Sequence, residues 1–132
     1  MKKFWILAFL AIAGACSPQK ETFDNKFYKM LNAPNGAEIT LGFNAEDSRY
    51  YGRSAVNRYF GVYKTKGRSL TLGPAGSTMM MGPPLLMEAE REYMKILAEV
   101  VSYSVEGAKL QLETSSGQKL LFMETSPEMP AE

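Results

Sequence analysis

The sequence predicts a mostly β protein: a small antiparallel β-barrel or sandwich of about eight strands, with one amphipathic helix inserted before the last three strands. Short segments of alternating apolar and polar residues recur along the chain, and turn residues separate them at hairpin spacing. One stretch alone has helical periodicity. The 132 residues are 45% apolar and 22% charged, which is the composition of a single globular domain.

The first five strands are identified by alternation and by the turns between them. Asn35 and Gly36 tolerate positive φ, so they predict the turn of a first hairpin. A tight connection is expected near Asn57, after which the chain returns to strand. The five predicted strands cover residues 26–31, 37–43, 49–56, 61–63 and 69–72.

The helix is predicted over about residues 83–100. Pro83 and Pro84 suit its first turn, where backbone amides lack intrahelical partners. Charged residues on the opposite side of the helix are spaced for three ion pairs, Glu88–Arg91, Glu92–Lys95 and Lys95–Glu99. The apolar stripe that should pack on the sheet consists of Leu86, Ala89, Tyr93, Ile96, Leu97 and Val100.

Three further strands are predicted at 101–105, 110–113 and 119–123, followed by a flexible tail at 126–132. Alternation within the strands indicates which side chains face the core. If these side chains close on one another the interior is filled, and if they do not the barrel holds a cavity. The core-facing positions are Ile39, Leu41, Phe43, Leu70, Leu72, Leu110 and Leu112.

The first residues form an export signal. Lys2 and Lys3 precede an apolar run at 4–13, which is the length of a signal peptide and short for a membrane span. The run ends in Ala-Gly-Ala before Cys16, which resembles the lipobox of bacterial lipoproteins. That resemblance implies a signal peptide at 1–15, acylation of Cys16 by chains such as palmitate, and a short tether at 16–22. Ser17 implies sorting to the outer membrane, on its periplasmic side.

A soluble periplasmic or secreted protein remains the alternative, because Ala-Gly-Ala also suits ordinary signal peptidase. The whole chain has 15 basic and 14 acidic side chains, so the total charge predicts no attraction to nucleic acid or to anionic lipid. The lipid on Cys16 would then be the only link to the membrane. A monomer is expected.

The composition argues against an enzyme and against a metal or cofactor site. The chain has no histidine and one cysteine, which removes the commonest general base and the commonest metal ligands. Consecutive methionines at 79–81 could bind copper(I), but adaptable core packing is the preferred interpretation. The helix acids Glu88, Glu90 and Glu92 are interleaved with basic residues, which is typical of a solvated face and not of a hydrolase pair.

A family resemblance rests on two motifs and the helix. The residues at 52–63 and 78–83 look like the signatures of the META domain, the HslJ-like (DUF306-type) heat-shock lipoproteins. The helix spacing Glu90, Tyr93 and Leu97 also resembles that family. The resemblance covers residues 23–125 and implies a small β-rich fold in envelope lipoproteins linked to stress tolerance, with no general enzymatic activity. The motif residues are Gly52, Asn57, Arg58, Tyr59, Gly61, Tyr63, Thr78, Met80 and Pro83.

The chain departs from the family at two cysteines. Val56 and Gly82 stand where the family has cysteine, and Ala55 replaces a glycine. The joint loss implies that these two positions lie near each other in the family and form a disulfide there. The missing pair would then be a structural crosslink.

Two interpretations of the Asn57 segment are open at this point. Arg58 could hold an anion while Tyr59 or Tyr63 stacks on the same ligand. The alternative, which is preferred, is structural: Asn57 at a positive-φ turn and the aromatic residues in the core. The expected function is a non-enzymatic binding or accessory role in envelope stress tolerance or assembly, through an unidentified envelope protein. A carrier of a small apolar ligand is the second hypothesis, and a hydrolase is the third.

Overall fold

The computed structural model describes residues 22–127, which form a closed antiparallel β-barrel and one α-helix. Cys16, the signal peptide and nearly all of the tether lie outside the described residues, as do residues 128–132 of the tail. The elements are β1 (Phe27–Met30), β2 (Thr40–Asn44), β3 (Arg49–Arg53), β4 (Arg58–Lys66), β5 (Ser69–Leu72), β6 (Gly76–Ser77), α1 (Pro84–Leu97), β7 (Val100–Glu106), β8 (Lys109–Thr114) and β9 (Lys119–Glu124).

The barrel closes through the long strand β4. The order β3-β2-β1-β9-β8-β7-β5-β4 returns to its start because β4 also pairs with β3. The short strand β6 pairs with β4 beyond the end of β5, from Tyr59↔Ser77 to Phe60↔Gly76. Eight strands therefore form the barrel, and β6 extends its wall. Closure removes the free strand edges that an open sheet would expose.

The helix α1 covers one end of the barrel, and Phe23 fills the other. At the helix end, the Asn35 side chain donates to the carbonyl of Leu85 (3.1 Å). At the opposite end, the buried ring of Phe23 lies 4.1 Å from that of Phe43 and 5.6 Å from that of Tyr63, between ring centroids. The chain therefore enters the barrel at the end away from the helix.

The core confirms the predicted inward face. The six strand positions Ile39, Leu41, Phe43, Leu70, Leu110 and Leu112 are buried in one hydrophobic cluster, and Leu72 packs against it half-buried. The two-residue period of a strand predicted these core positions correctly, because alternate side chains of each strand point into the barrel. The hypothesis of an interior ligand cavity loses its main support, since these positions close on one another.

Four local predictions were wrong. The helix ends at Leu97, and Val100 begins β7, because a two-residue turn at 98–99 separates them. Residues 58–60 belong to β4 and not to a connection, while residues 54–56, which were predicted as strand, lie outside β3. None of the three expected helix ion pairs forms. The salt bridge found within residues 22–127 joins Arg49 to Asp47 (3.8 Å).

Within residues 22–127, the helix α1 is too short and too polar to cross a bilayer, and no other helix there could do so.

Candidate functional site

The connection between β3 and β4 is built by Ser54, Ala55, Val56 and Asn57. Positive φ falls at Ala55 (89°) and not at Asn57, so the structural role predicted for Asn57 was wrong in its detail. This φ fits the glycine that the family resemblance implies at the position of Ala55, since glycine adopts this conformation without strain. Asn57 instead contributes its side chain, which is 3% exposed and makes hydrogen bonds on both sides.

On one side of Asn57 lies the buried carboxylate of Glu90, from α1. Glu90 Oε1 accepts hydrogen bonds from the backbone amides of Val56 (3.0 Å) and Asn57 (2.7 Å) and from Ser54 Oγ (3.1 Å). Glu90 Oε2 accepts from Asn57 Nδ2 (2.7 Å). None of these partners is a cation. The carboxylate therefore fixes the helix to the β3–β4 connection through hydrogen bonds alone.

The environment of Glu90 keeps it ionised. Burial acts to raise its pKa, but the hydrogen bonds from Asn57, Val56 and Ser54 outweigh burial and lower the pKa below its ordinary value of 4.5. The side chain is 9% exposed. Four groups of the fold donate to this carboxylate, so it acts as a structural link between α1 and the β3–β4 connection.

On the other side of Asn57 lies the segment that leads from β6 to α1. Asn57 Oδ1 accepts from Thr78 Oγ1 (2.8 Å) and from the amide of Met80, while Asn57 Nδ2 donates to the Met80 carbonyl (3.1 Å). Thr78 Oγ1 also accepts from the amide of Arg58 (3.1 Å). Both backbone polar groups of Met80 are thus held by one side chain, which fixes the position of this segment.

This segment displays three methionines to solvent. Met79 is 90% exposed, Met80 57% and Met81 86%, and the neighbouring Leu85 is 64% exposed. The interpretation of these methionines as core packing was therefore wrong. Together Met79, Met80, Met81 and Leu85 form an exposed apolar surface, named here the methionine loop. Flexible thioether side chains adapt to many partner shapes, so such surfaces are common in binding sites.

Val56 and Gly82 lie in contact across the same region. A Cβ atom placed on Gly82 would lie 3.5 Å from Val56 Cβ and 2.8 Å from Val56 Cγ2. A Cβ separation near 3.5–4.5 Å is the range of disulfides. The proximity implied by the family resemblance is therefore present here, with a valine methyl group filling the space that a crosslink would take.

The aromatic residues of the motif are structural. Tyr59 and Tyr63 are buried, so neither is available to stack on a ligand beside Arg58, which is exposed. The Tyr59 hydroxyl donates to the carbonyl of Thr40 (2.6 Å) and lies 2.6 Å from the Tyr93 hydroxyl. Burial raises the pKa of both Tyr59 and Tyr93, and they remain neutral. The Arg58 ligand hypothesis thus lacks its stacking residues.

The glycines and the proline of the motif serve close approach and capping. A Cβ on Gly52 would lie 2.1 Å from the carbonyl oxygen of Thr40, and one on Gly61 would lie 2.5 Å from Tyr50 Oη. The Pro83 carbonyl accepts from the amides of Leu86 (3.0 Å) and Met87 (2.9 Å), which starts α1. These three positions therefore support the fold directly.

The remaining candidate features are a surface groove and the helix acids. The groove has a volume of about 280 Å³ between α1 and the segment after β5, and it is lined by Tyr50, Leu72, Gly73, Pro74, Ala75, Met94, Leu97 and Ala98. Glu88 and Glu92 are exposed, as expected. Within residues 22–127, no group of three His, Cys, Asp or Glu side chains is placed to hold a metal ion.

Sequence reasoning missed the role of Glu90, although a signal was present. Glu90 falls four residues after Leu86 and three before Tyr93, so it lies on the apolar stripe and not on the charged face. A carboxylate in an apolar stripe indicates a buried, hydrogen-bonded acid. The composition of the helix as a whole concealed this position among solvated acids.

Comparisons with known proteins support the fold. The META domain family model matches residues 32–127. An NMR structure of a protein from Burkholderia xenovorans is similar, with a TM-score of 0.65 and 21% identity over 83% of this chain and 97% of that chain. A second NMR structure has a TM-score of 0.57 and 20% identity, covering 75% and 88%. No curated protein matches the chain. At these identities the two structures indicate a common fold.

Proposed function

The chain belongs to the META-domain family, and from that premise we propose that it is a lipid-anchored protein of the bacterial envelope that acts by binding a protein partner. Its anchor would be the acylated Cys16, at the periplasmic face of the outer membrane. Its role would be accessory, in envelope stress tolerance or assembly, without catalysis.

The observation that carries this proposal is the methionine loop. Exposed side chains such as Met79 and Met81 are apolar and cost free energy in water, yet Asn57 and Glu90 hold the loop in place from beneath. A preorganised apolar surface loses little conformational entropy when it binds, which favours recognition of a partner. An apolar groove on a partner protein is the matching surface.

A small-ligand carrier remains the second candidate function, but its site would lie outside the barrel interior. The barrel core is closed, so the ligand would bind in the groove beside α1, between Leu72 and Met94. Its volume of about 280 Å³ is at the low end for sites that bury small molecules. Native mass spectrometry of the protein purified from periplasm would detect such a ligand as a reproducible adduct.

Site-specific crosslinking in cells tests the protein-binding proposal. A photoreactive residue at Met81 should give one discrete crosslinked product, and Met79→Ser should weaken it because apolar contact area is lost. The matched control is the same photoreactive residue at Lys119, which is exposed on the barrel wall in β9. The proposal would be contradicted if both positions gave the same crosslinked products. It would also be contradicted if the photoreactive residue at Met81 gave no product.

Cell fractionation tests the anchor separately. The Cys16→Ala variant should leave the membrane fraction and appear in the soluble periplasm, because the acyl chains supply the stable attachment. The parent chain should remain in the outer-membrane fraction after a carbonate wash. Retention of the Cys16→Ala variant through that wash would contradict lipid anchoring.

A further inference from the structure

Charge is strongly segregated along this nearly neutral chain. Residues 49–87 contain six basic side chains and no aspartate or glutamate, whereas the whole chain has 15 basic and 14 acidic side chains. The six cations lie on or between neighbouring strands, in β3, in β4 and in the turn before β5. The total charge therefore conceals a local positive region.

The strand register places most of these cations on the outer surface of the barrel. Tyr50 and Tyr59 point inward and are buried, so their neighbours along β3 and β4 point outward. Arg53 lies directly opposite Arg58, and Arg49 lies opposite Val62. We name this surface the basic sheet face; it consists of Arg49, Tyr51 and Arg53 from β3 and Arg58, Phe60, Val62 and Lys64 from β4.

Aromatic rings lie between the cations on this face. Tyr51 and Phe60 are directly opposite each other, and they are 40% and 45% exposed. A Cβ on Gly42 would lie 2.5 Å from the Tyr51 ring, and one on Gly76 would lie 2.6 Å from the Phe60 ring. Both rings therefore extend over neighbouring strands at positions without side chains. Val62, 48% exposed, continues the apolar strip.

The described chain begins at the end of the barrel away from the helix, where Tyr63 and Lys64 of β4 lie. Thr22 is the first described residue, and the next residue, Phe23, packs against Tyr63, which lies between Val62 and Lys64 of the face. The residues from 17 to 22 span about 20 Å when fully extended. If Cys16 is lipidated, as the proposed function holds, the basic sheet face is within reach of the bilayer surface.

We propose that the basic sheet face lies on an anionic phospholipid surface. Arg and Lys side chains would contact lipid phosphates, while Tyr51, Phe60 and Val62 would enter the headgroup region, which is where aromatic and basic residues concentrate in membrane-bound proteins. The lipid anchor would thus be assisted by a second contact that orients the domain.

Within residues 22–127, Arg49 alone among the cations of this face is within ion-pair distance of a carboxylate, that of Asp47. Arg53, Arg58 and Lys64 are exposed and are not committed to internal ion pairs in that part of the chain. Their charges are therefore available to an external anion. A membrane fits better than a narrow acidic peptide because the cations and rings spread across two whole strands.

Vesicle flotation with the acyl-free chain, residues 17–132, tests this proposal, since the described barrel closes within that range. Vesicles containing about 30% phosphatidylglycerol in phosphatidylcholine should bind the protein at low salt, and pure phosphatidylcholine should bind it about tenfold less. The double variant Arg53→Glu, Arg58→Glu should lose this binding. The matched control Arg91→Glu, Lys95→Glu makes the same charge change on the exposed face of α1 and should retain it.

Each alternative outcome decides the matter. Equal binding to both vesicle types, or equal loss in the control variant, would overturn the proposal. Retention on a soluble polyanion such as heparin without vesicle binding would also overturn it and assign the face to an anionic polymer. Circular dichroism should show that both double variants are folded. Because the acyl-free chain is used, failure here leaves the fractionation test of Cys16 and the crosslinking test of Met81 unaffected.

Discussion

Two adjoining regions of this protein reverse the usual distribution of side chains. Beneath the β3–β4 connection, the carboxylate of Glu90 is buried and accepts four hydrogen bonds. A few residues away, Met79 and Met81 are almost fully exposed. Asn57 joins the two regions, since it bonds to Glu90 on one side and to Met80 on the other. The comparison indicates that the buried polar groups position the methionine loop. Hydrogen bonds to Asn57 hold the backbone of the loop, so its apolar side chains can face solvent.

The largest expected effect comes from removing the buried carboxylate. Glu90→Ala should lower the free energy of unfolding by about 3–5 kcal/mol, because it leaves the amides of Val56 and Asn57 and the Asn57 side chain buried without their acceptor. Urea unfolding would measure the change. Glu88→Ala, on the exposed side of the same helix, should change stability by less than about 0.5 kcal/mol. Similar losses in both variants would mean that Glu90 contributes only as a helix residue.

The next effect concerns the contact between Val56 and Gly82. Gly82→Ala alone should cost about 1–3 kcal/mol, because its Cβ would meet the methyl groups of a residue with a stiff side chain. The pair Val56→Cys, Gly82→Cys should instead form a disulfide on oxidation and gain about 3–4 kcal/mol over its reduced form.

Thiol titration and unfolding of oxidised and reduced protein would check the disulfide prediction. Two titratable thiols after oxidation would show that the positions cannot pair. The double variant Val56→Ala, Gly82→Ala serves as the steric control, and it should recover part of the stability that Gly82→Ala loses.

A moderate, pH-dependent effect is expected for Glu90→Gln. The folded-state pKa of Glu90 is lowered, so its contribution to stability is present above its ordinary value of 4.5 and is lost as the pH falls through the folded-state pKa. At pH 7 the variant should be less stable by about 1–3 kcal/mol, because the NH₂ group of the new glutamine side chain would replace the oxygen that accepts from Asn57 Nδ2 and would place two donors against each other.

Unfolding curves of both proteins from pH 7 to pH 3 would check the sign of this effect. The difference between the parent and Glu90→Gln should shrink as the pH falls. A difference that stays constant with pH would show that the charge of Glu90 is not what the network stabilises.

The smallest expected effect on stability is at the loop surface. Met79→Ser with Met81→Ser should change the free energy of unfolding by less than about 0.5 kcal/mol, because both side chains are exposed. The same variant should lose the partner crosslink. Thermal unfolding beside the crosslinking assay separates the two roles, and a large loss of stability would place these side chains in the fold.

Most of the barrel could be predicted from the sequence because short-range signals determine it. Alternation identified the inward residues of β2, β5 and β8, and Asn35 and Gly36 both adopt positive φ, as their types predicted. The predicted helix was three residues too long at its C-terminal end. Val100 continues the helical spacing of apolar residues, but it is the first residue of β7, where it is also buried.

The site could be predicted only in part, because its signals depend on distant contacts. Nothing local distinguishes Glu90 from Glu88 except its place on the apolar stripe, and nothing local says that Met79 and Met81 face solvent. The charge segregation of residues 49–87 is visible in the sequence, but only the strand register shows that those cations share one surface. The net charge of the whole chain does not show how the charges are distributed.

Backbone dynamics of the methionine loop would test the central claim most directly. In the parent protein, the order parameter of the Met80 amide should be near the value of rigid backbone, about 0.85, and in Asn57→Ala it should fall below about 0.6. The amide of Leu112, in the core of β8, should keep the same value in both proteins. A flexible Met80 amide in the parent, or an unchanged one in Asn57→Ala, would contradict the claim that the buried network holds this loop for binding.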